Sequence, residues 1–433
     1  MQLGDPSMLD RFTRYFRACP ALWFVAAIAA SQPVLTQTLP SVTLDEALAR
    51  TLDANPALAA NGYRVDAAWG RFEQAGIAPN PVLDVAINDV VGTDKFRGLS
   101  GAETTLSLIW VLERGVRLRQ VDAARADISL REVEAQVLQL DAAAETARRF
   151  IACLAFQARL VNAAEAIRLA EQIVESVRAR VAAGGATQAE LSRAEAGLVR
   201  AELLAEDYEH ELVSANHRLG EQWGETQPDF SQAVGDVQAL PLVEPLETLR
   251  SRVDGNPDIA VFMTQRRLAE AELNVARARS RPDWQLRAGV RRFETTDDFA
   301  LVGEITVPLA TRDRYLGRIA ETFADMARAS GDARATRVRI ETALFVLYQE
   351  LLHDVNVAGI LRDRMIPLLE SALADTRRAY ELGRTSYFEL STVQSELLQA
   401  RNELLETSIE AHGLVVEIER LTGVPVLSPA GAQ

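Results

Sequence analysis

Two segments of this 433-residue chain enter helical sequence through the same pair of residues: ANPALAA at 54–60 and GNPDIAV at 255–261 share Asn-Pro at an offset of 201. The same offset carries Pro81 of NPVLDV onto Pro282 of RPDWQL, and ELS recurs at 190–192 and 389–391 with an offset of 199. Matches in one order with a drift of only two residues describe a unit of about 200 residues used twice. Whatever one half folds into, the other must fold into as well.

Within each unit the periodicity is first that of long helices. Leu191, Ala194, Leu198, Ala201, Ala205, Tyr208, Leu212, Ala215 and Leu219 alternate steps of three and four, and Leu390, Val393, Leu397, Ala400, Leu404, Thr407, Ala411, Leu414 and Ile418 keep the same register. A 3.5-residue repeat sustained this long specifies a left-handed coiled coil. Upstream, Val133, Val137, Leu140, Ala144, Ala147, Ile151, Leu154, Ala158 and Val161 continue the rhythm inside 116–182, a stretch with no proline and no interior glycine. Such a helix is roughly 100 Å long. Its counterpart, about 314–382, carries Pro367, where a kink or local distortion is expected.

Each pair turns at a polar corner, RVAAGGATQAELS at 180–192 and AYELGRTSYFELS at 379–391. Gly184 and Gly383 suit a helix end that needs positive φ, and Thr187 and Ser386 suit the N-cap of the returning helix. The corners are therefore hairpin tips.

The other end of each unit has period two. Leu83, Val85 and Ile87 alternate with Asp84, Ala86 and Asn88, and Trp284, Leu286, Ala288 and Val290 alternate with Gln285, Arg287, Gly289 and Arg291. Their partners are 103–112, with Leu106, Leu108, Trp110 and Leu112 on one face, and 299–309, with Phe299, Leu301, Ile305, Val307 and Leu309. Strands of about 9–11 residues are long enough to cross a bilayer when tilted. A half-buried soluble hairpin gives the same alternation, but Trp110 and Trp284 both fall where strands meet helices, as an aromatic girdle requires. Four strands cannot close a barrel, and an open edge in hydrocarbon leaves backbone groups unsatisfied, so the chain is expected to oligomerise into a ring.

Composition narrows the partners. With 61 acidic against 46 basic residues and a net charge of -15, nucleic acid is an unsuitable partner. Residues 1–30 read as a signal peptide, with Arg11, Arg14 and Arg17 ahead of the apolar run Ala21–Ala30; its removal takes Cys19 and leaves Cys153 without a disulfide partner. No run of eighteen apolar residues follows, so no transmembrane helix is expected and any membrane role falls to the strands. There is no Walker loop, metal-hydrolase helix or serine elbow, hence no catalytic residue and no cofactor. His210 and His217, near Glu206 and Glu209, read as surface residues of a coil rather than as metal ligands.

Together these residues resemble the outer membrane channel-tunnel family of TolC type, the exit ducts of tripartite efflux pumps and type I secretion systems. The resemblance runs from VTLDEALARTLDANPALAA to ERLTGVPV. It implies a mainly α fold with a small β part: a twofold repeat, long antiparallel coiled-coil hairpins forming a periplasmic α-barrel, and four strands per protomer in a homotrimeric 12-stranded barrel held in outer membrane lipid. The units are 41–240, with strands at about 82–90 and 103–112 and a tip at 183–187, and 241–425, with strands at about 283–292 and 299–309 and a tip at 382–386; 426–433 is a tail. Segments 220–245 and the C-terminus would form an equatorial belt. The resemblance further implies that Gly184, Gly185, Ala186, Thr187, Gly383, Arg384, Thr385 and Ser386 dock a periplasmic adaptor, itself joined to an inner membrane pump of the proton-driven RND type. Tyr380 is similar to a tyrosine linking neighbouring coils in the closed state. Glu389 falls on a pore-narrowing carboxylate position, Thr392 replaces the second, and Glu190 is the repeat equivalent of Glu389. The stretch NPDIAVFMTQRRLAEAELNVARARSRPDWQLRAGV is most similar to the heavy-metal branch, which implies metal-cation cargo. Multidrug or type I secretion channels are the alternative, and a periplasmic coiled-coil adaptor or scaffold is the alternative of another class.

Overall fold

The computed structural model describes residues 40–113, 115–309 and 312–423. The expected signal peptide at 1–30 and the tail at 426–433 lie outside the described residues. In chain order the elements are β1 (Ser41–Val42), α1 (Leu44–Ala54), α2 (Pro56–Gly76), β2 (Val82–Asn88), β3 (Glu103–Leu112), α3 (Val116–Ala182), α4 (Gln188–Gly220), β4 (Gln232–Ala233), α5 (Leu246–Arg252), α6 (Pro257–Arg279), β5 (Trp284–Phe293), β6 (Asp298–Thr306), α7 (Leu316–Ile360), α8 (Ile366–Glu381) and α9 (Tyr387–Thr422). Helix, two strands and two long helices thus follow one another twice.

The Asn-Pro pairs explain how each unit is closed. Asn55 is extended, and its Oδ1 accepts from the N–H groups of Ala57 and Leu58 at the start of α2. Its Nδ2 donates to the carbonyl of Gln222 at 2.7 Å, just beyond the end of α4. Asn256 repeats both roles, capping α6 through the Asp258 N–H at 2.6 Å and donating to the Leu421 carbonyl at 2.7 Å at the end of α9. Pro56 and Pro257 occupy the first helical turn, where a missing N–H costs nothing. The returning helices end at Gly224 and Gly423, both at positive φ; a Cβ there would come within 3.2 Å of Pro56 or Pro257. Each Asn-Pro therefore fastens the last turn of one helix to the first turn of another.

The 67-residue helix α3 is continuous. Its counterpart is not: Leu361–Met365 forms a π-helical turn between α7 and α8. Pro367 has no N–H and its ring crowds the carbonyl four residues back, and the wider turn immediately upstream absorbs both defects without ending the helix.

In α4 and α9 every position of the expected heptad stripe is buried or half-buried. In α3 the stripe departs from expectation, since Val161 is 70% exposed while Phe150 and Cys153 are buried. The reason is that α3 packs against α2, α4, α6 and α9 on different sides, so one seam cannot describe it. The core runs as separate clusters along the long axis. One gathers Ile173, Val177, Leu191, Tyr380, Leu390 and Leu397 near the tips; others gather Phe150, Cys153, Leu219, Trp223 and Phe230, and Ile340, Leu344, Leu351 and Ile418. Burial pushes the Cys153 thiol up to about 12, so it is inert packing rather than a nucleophile.

Val116–Ala182 and Asp313–Glu381 each contain an 18-residue window apolar enough to cross a membrane by composition. Neither window is an unbroken apolar run, and length and composition alone are what the two helices satisfy, a test that the core helix of a soluble protein also passes.

Asn256→Ala should remove a cap and strand the Leu421 carbonyl, lowering unfolding stability in detergent by about 2–3 kcal/mol in urea titrations. Asn256→Asp, which keeps the acceptor and loses the donor, should recover only part of that.

Candidate functional site

The strands form one antiparallel sheet in the order β2-β3-β5-β6. Register pairs Leu83 with Leu108, Leu106 with Val290, and Leu286 with Ile305, which places the apolar residues of all four strands on one face. That face is bare: Leu83 is 62% exposed, Phe299 68% and Leu301 89%. A soluble half-buried hairpin would cover it. Trp110 pairs with Leu286 and Trp284 with Leu112, so both indoles lie on the apolar face at the strand ends nearest the helices, as expected from the sequence. β2 and β6 are outer strands, each paired on one side only among the described residues.

Two strands end earlier than expected. β2 stops at Asn88 because Asp89 and Val91 turn to positive φ, and β6 stops at Thr306, ahead of Pro308, which cannot donate to a ladder.

The opposite face is polar and tied together. Arg287 on β5 donates to Asp84 of β2 at 3.2 Å and pairs with Glu304 of β6 at 3.5 Å, while Ser107 of β3 donates to Asp84 at 3.3 Å. Four strands thus meet around one guanidinium. Arg291 donates to Thr105 Oγ1 and to Glu103, both at 3.0 Å. Gly289 lies between the two arginines, where a Cβ would approach Ser107 Cβ and the Leu106 carbonyl to 2.5 Å, so only glycine allows this contact of β3 with β5.

At the far end, the two tips share one geometry. Gly184 and Gly383 have φ of +73° and +74°. Gly185 N–H donates to the Arg180 carbonyl at 2.8 Å and Arg384 N–H to the Ala379 carbonyl at 2.9 Å, closing both helix ends alike. Thr187 accepts from the Glu190 N–H at 3.2 Å, and Ser386 from the Glu389 N–H at 3.3 Å. Gly184, Gly185, Thr187, Gly383, Arg384 and Ser386 are exposed, and Ala186, Thr385 and Glu190 half-buried. Glu389 is exposed, but its carboxylate is engaged: it accepts from the Thr385 hydroxyl and from the Ser386 N–H, and these bonds, the hydroxyl first, hold it below the usual carboxylate range. Tyr380 is fully buried, and its hydroxyl meets no acceptor or donor in hydrogen-bond geometry among the described residues. The Arg180 guanidinium lies 4.3 Å above its ring, donating to the Tyr380 carbonyl at 3.0 Å and to the Gly185 carbonyl at 2.6 Å. One arginine of the first hairpin therefore grips the second hairpin and its own tip.

Sequence reasoning missed Arg180 and a row of similar contacts above it. Arg401 bridges Glu165 and Glu370, Arg159 holds Glu406 with both oxygens, Arg148 pairs with Glu417, and Arg420 reaches Asp141 at 2.6 Å. The available signal was arginine and glutamate flanking the heptad stripes, which does not name partners that mostly lie 200 or more residues apart. His210 and His217 do not converge: His210 stands 4.0 Å from Glu206, and a ring nitrogen of His217 bonds the Thr226 carbonyl.

A sheet with a bare apolar face joined to two long hairpins with matching tips defines the architecture of an outer membrane channel-tunnel. Residues 47–225 match the family model described as outer membrane efflux protein. The chain is 25% identical over 383 residues to the cobalt-zinc-cadmium resistance protein CzcC of Cupriavidus metallidurans, covering 88% of this chain and 90% of that one. It is 24% identical to the nickel-cobalt-cadmium resistance protein NccC of Alcaligenes xylosoxydans xylosoxydans, over 75% and 73% of the two chains. It shares the fold of the outer membrane protein VceC from Vibrio cholerae with a TM-score of 0.72, at 19% identity over 88% of this chain and 96% of that one.

Arg180→Ala removes two charge-assisted bonds from a half-buried site. Amide exchange at 180–190 and 379–389 should quicken by about tenfold, with Arg180→Lys intermediate because an ammonium cannot span both carbonyls.

Proposed function

We propose that the chain is the outer membrane channel of a tripartite efflux system, a passive duct that exports metal cations. The observation that carries this reading is the sheet: an exposed apolar face on one side, a polar face on the other, and two outer strands with unused backbone groups. In hydrocarbon each unpaired group costs several kcal/mol, and pairing β6 of one copy with β2 of the next removes the edges. Three copies give a closed 12-stranded barrel. The helices support the same assembly, because Val199, Leu203 and Val213 on α4 and Val338, Phe345 and Val346 on α7 leave apolar surface bare on a single copy. The twofold repeat then supplies two hairpins per protomer to a periplasmic α-barrel.

In this reading the paired tips dock a periplasmic adaptor, which connects the duct to an RND-type inner membrane pump. Tyr380, gripped by Arg180, links the two hairpins in the closed state. Glu389 and Glu190 line the periplasmic entrance. The metal assignment comes from the cobalt-zinc-cadmium and nickel-cobalt-cadmium resistance relatives. A periplasmic adaptor or scaffold would account for the coils but gives no use to a four-stranded sheet with a bare apolar face.

The purified full-length protein should require detergent, run as a heat-dissociable trimer and conduct ions in planar bilayers; a water-soluble monomer would overturn the reading. Glu389→Ala should lower the cation preference of that conductance, and an unchanged reversal potential would remove Glu389 from the pore.

A further inference from the structure

The register places every charged residue of the four strands but Arg292, which pairs with Phe299, on one face. Asp84, Glu103, Arg287, Arg291, Asp298 and Glu304 all fall on the face opposite Leu83, Leu106, Leu286 and Leu301. That face lines the lumen if the duct reading holds, and the inference rests on that reading. Four carboxylates there accompany two guanidinium groups, so the lining is acidic overall. Yet three of the four carboxylates are occupied: Asp84 and Glu304 by Arg287, and Glu103 by Arg291.

A channel for cations meets two opposed demands. Its lining must attract the ion, but no site may hold it so well that it stops moving. Divalent cations are captured where carboxylate oxygens from several strands are free to converge. Arg287 sits where such a site would otherwise form. Its side chain is about one-third exposed, with Asp84 of β2 and Glu304 of β6 as its two partners, drawn from the outer strands of the sheet. We propose that Arg287 is a specificity-determining residue of the duct: it keeps Asp84 and Glu304 from chelating passing divalent cations while leaving the lumen acidic enough to admit them.

Gly289 supports this placement. It lets β3 lie close against β5, and Ser107 of β3, the register partner of both Asp84 and Gly289, donates to Asp84 from between that carboxylate and the strand of Arg287.

The test is block of potassium current by Cd²⁺ through the full-length oligomer in planar bilayers at low ionic strength, where screening is least. Arg287→Gln frees both carboxylates. It should lower the Cd²⁺ concentration for half-block by at least about tenfold relative to the unmodified channel. It should also raise the potassium-to-chloride permeability ratio by about threefold, the effect of a lumen potential changed by about one kT. Arg287→Gln with Asp84→Asn and Glu304→Gln should return Cd²⁺ block to the starting value, which a purely structural role for the arginine would not produce. Unchanged block in Arg287→Gln overturns the proposal, as does block that persists in the triple variant. If Arg287→Gln yields no channels, Arg287→Lys, which keeps the charge but cannot hold both carboxylates as a fork, should show intermediate block; block equal to that of the unmodified channel would then overturn it. Absence of conductance in the unmodified protein would instead refute the duct reading itself.

Discussion

Backbone hydrogen bonding in a medium without water governs this molecule. A strand inserted into hydrocarbon must have both of its edges paired, and one copy of the chain offers a sheet in which β2 and β6 do not. The remaining architecture follows from that shortage. A bare apolar face on the strands and apolar stripes left open on α4 and α7 are what the proposed assembly of several copies would cover. In the proposed assembly, closing the sheet through neighbouring copies would also force the helices into a ring, because the same chain continues from each strand into each coil.

Much of this was legible in the sequence because the signals are periodic. Alternation at 83–88 and 284–291 gave strands and their faces, the heptads of α4 and α9 gave helix seams, and glycine with a following hydroxyl residue gave the tips. What escaped detection was long-range and polar. Nothing local distinguishes Arg180, Arg159 or Arg401 from other arginines of a solvated coil; their importance comes from carbonyls and carboxylates that lie about 200 residues away in the chain. The failure at Val161 has a similar origin, since a heptad assumes one partner and α3 has several. The early end of β6 was legible after all, in Pro308.

The charge arrangement shows a consistent division of labour. Lysine is nearly absent, with Lys95 alone among 46 basic residues, and arginine supplies the charged partner in the ion pairs described between hairpins and between strands. A guanidinium can hold two acceptors in fixed directions, whereas an ammonium cannot, which suits a structure whose elements run side by side over long distances with little depth of core. Most of these pairs are partly exposed and individually weak. Their value lies in fixing lateral register between hairpins whose apolar seams alone would tolerate sliding.

The π-helical turn at Leu361–Met365 has a consequence for how such a chain can change. Below it, Leu369, Leu373 and Tyr380 pack in the cluster near the tips; above it, Ile340, Leu344 and Leu351 pack in another. The turn stores one surplus residue between two cores that never have to agree on a common phase. A single-residue insertion or deletion within this stretch is therefore a length adjustment the helix can absorb locally, and one arm of the duct can grow or shrink without rewriting the other.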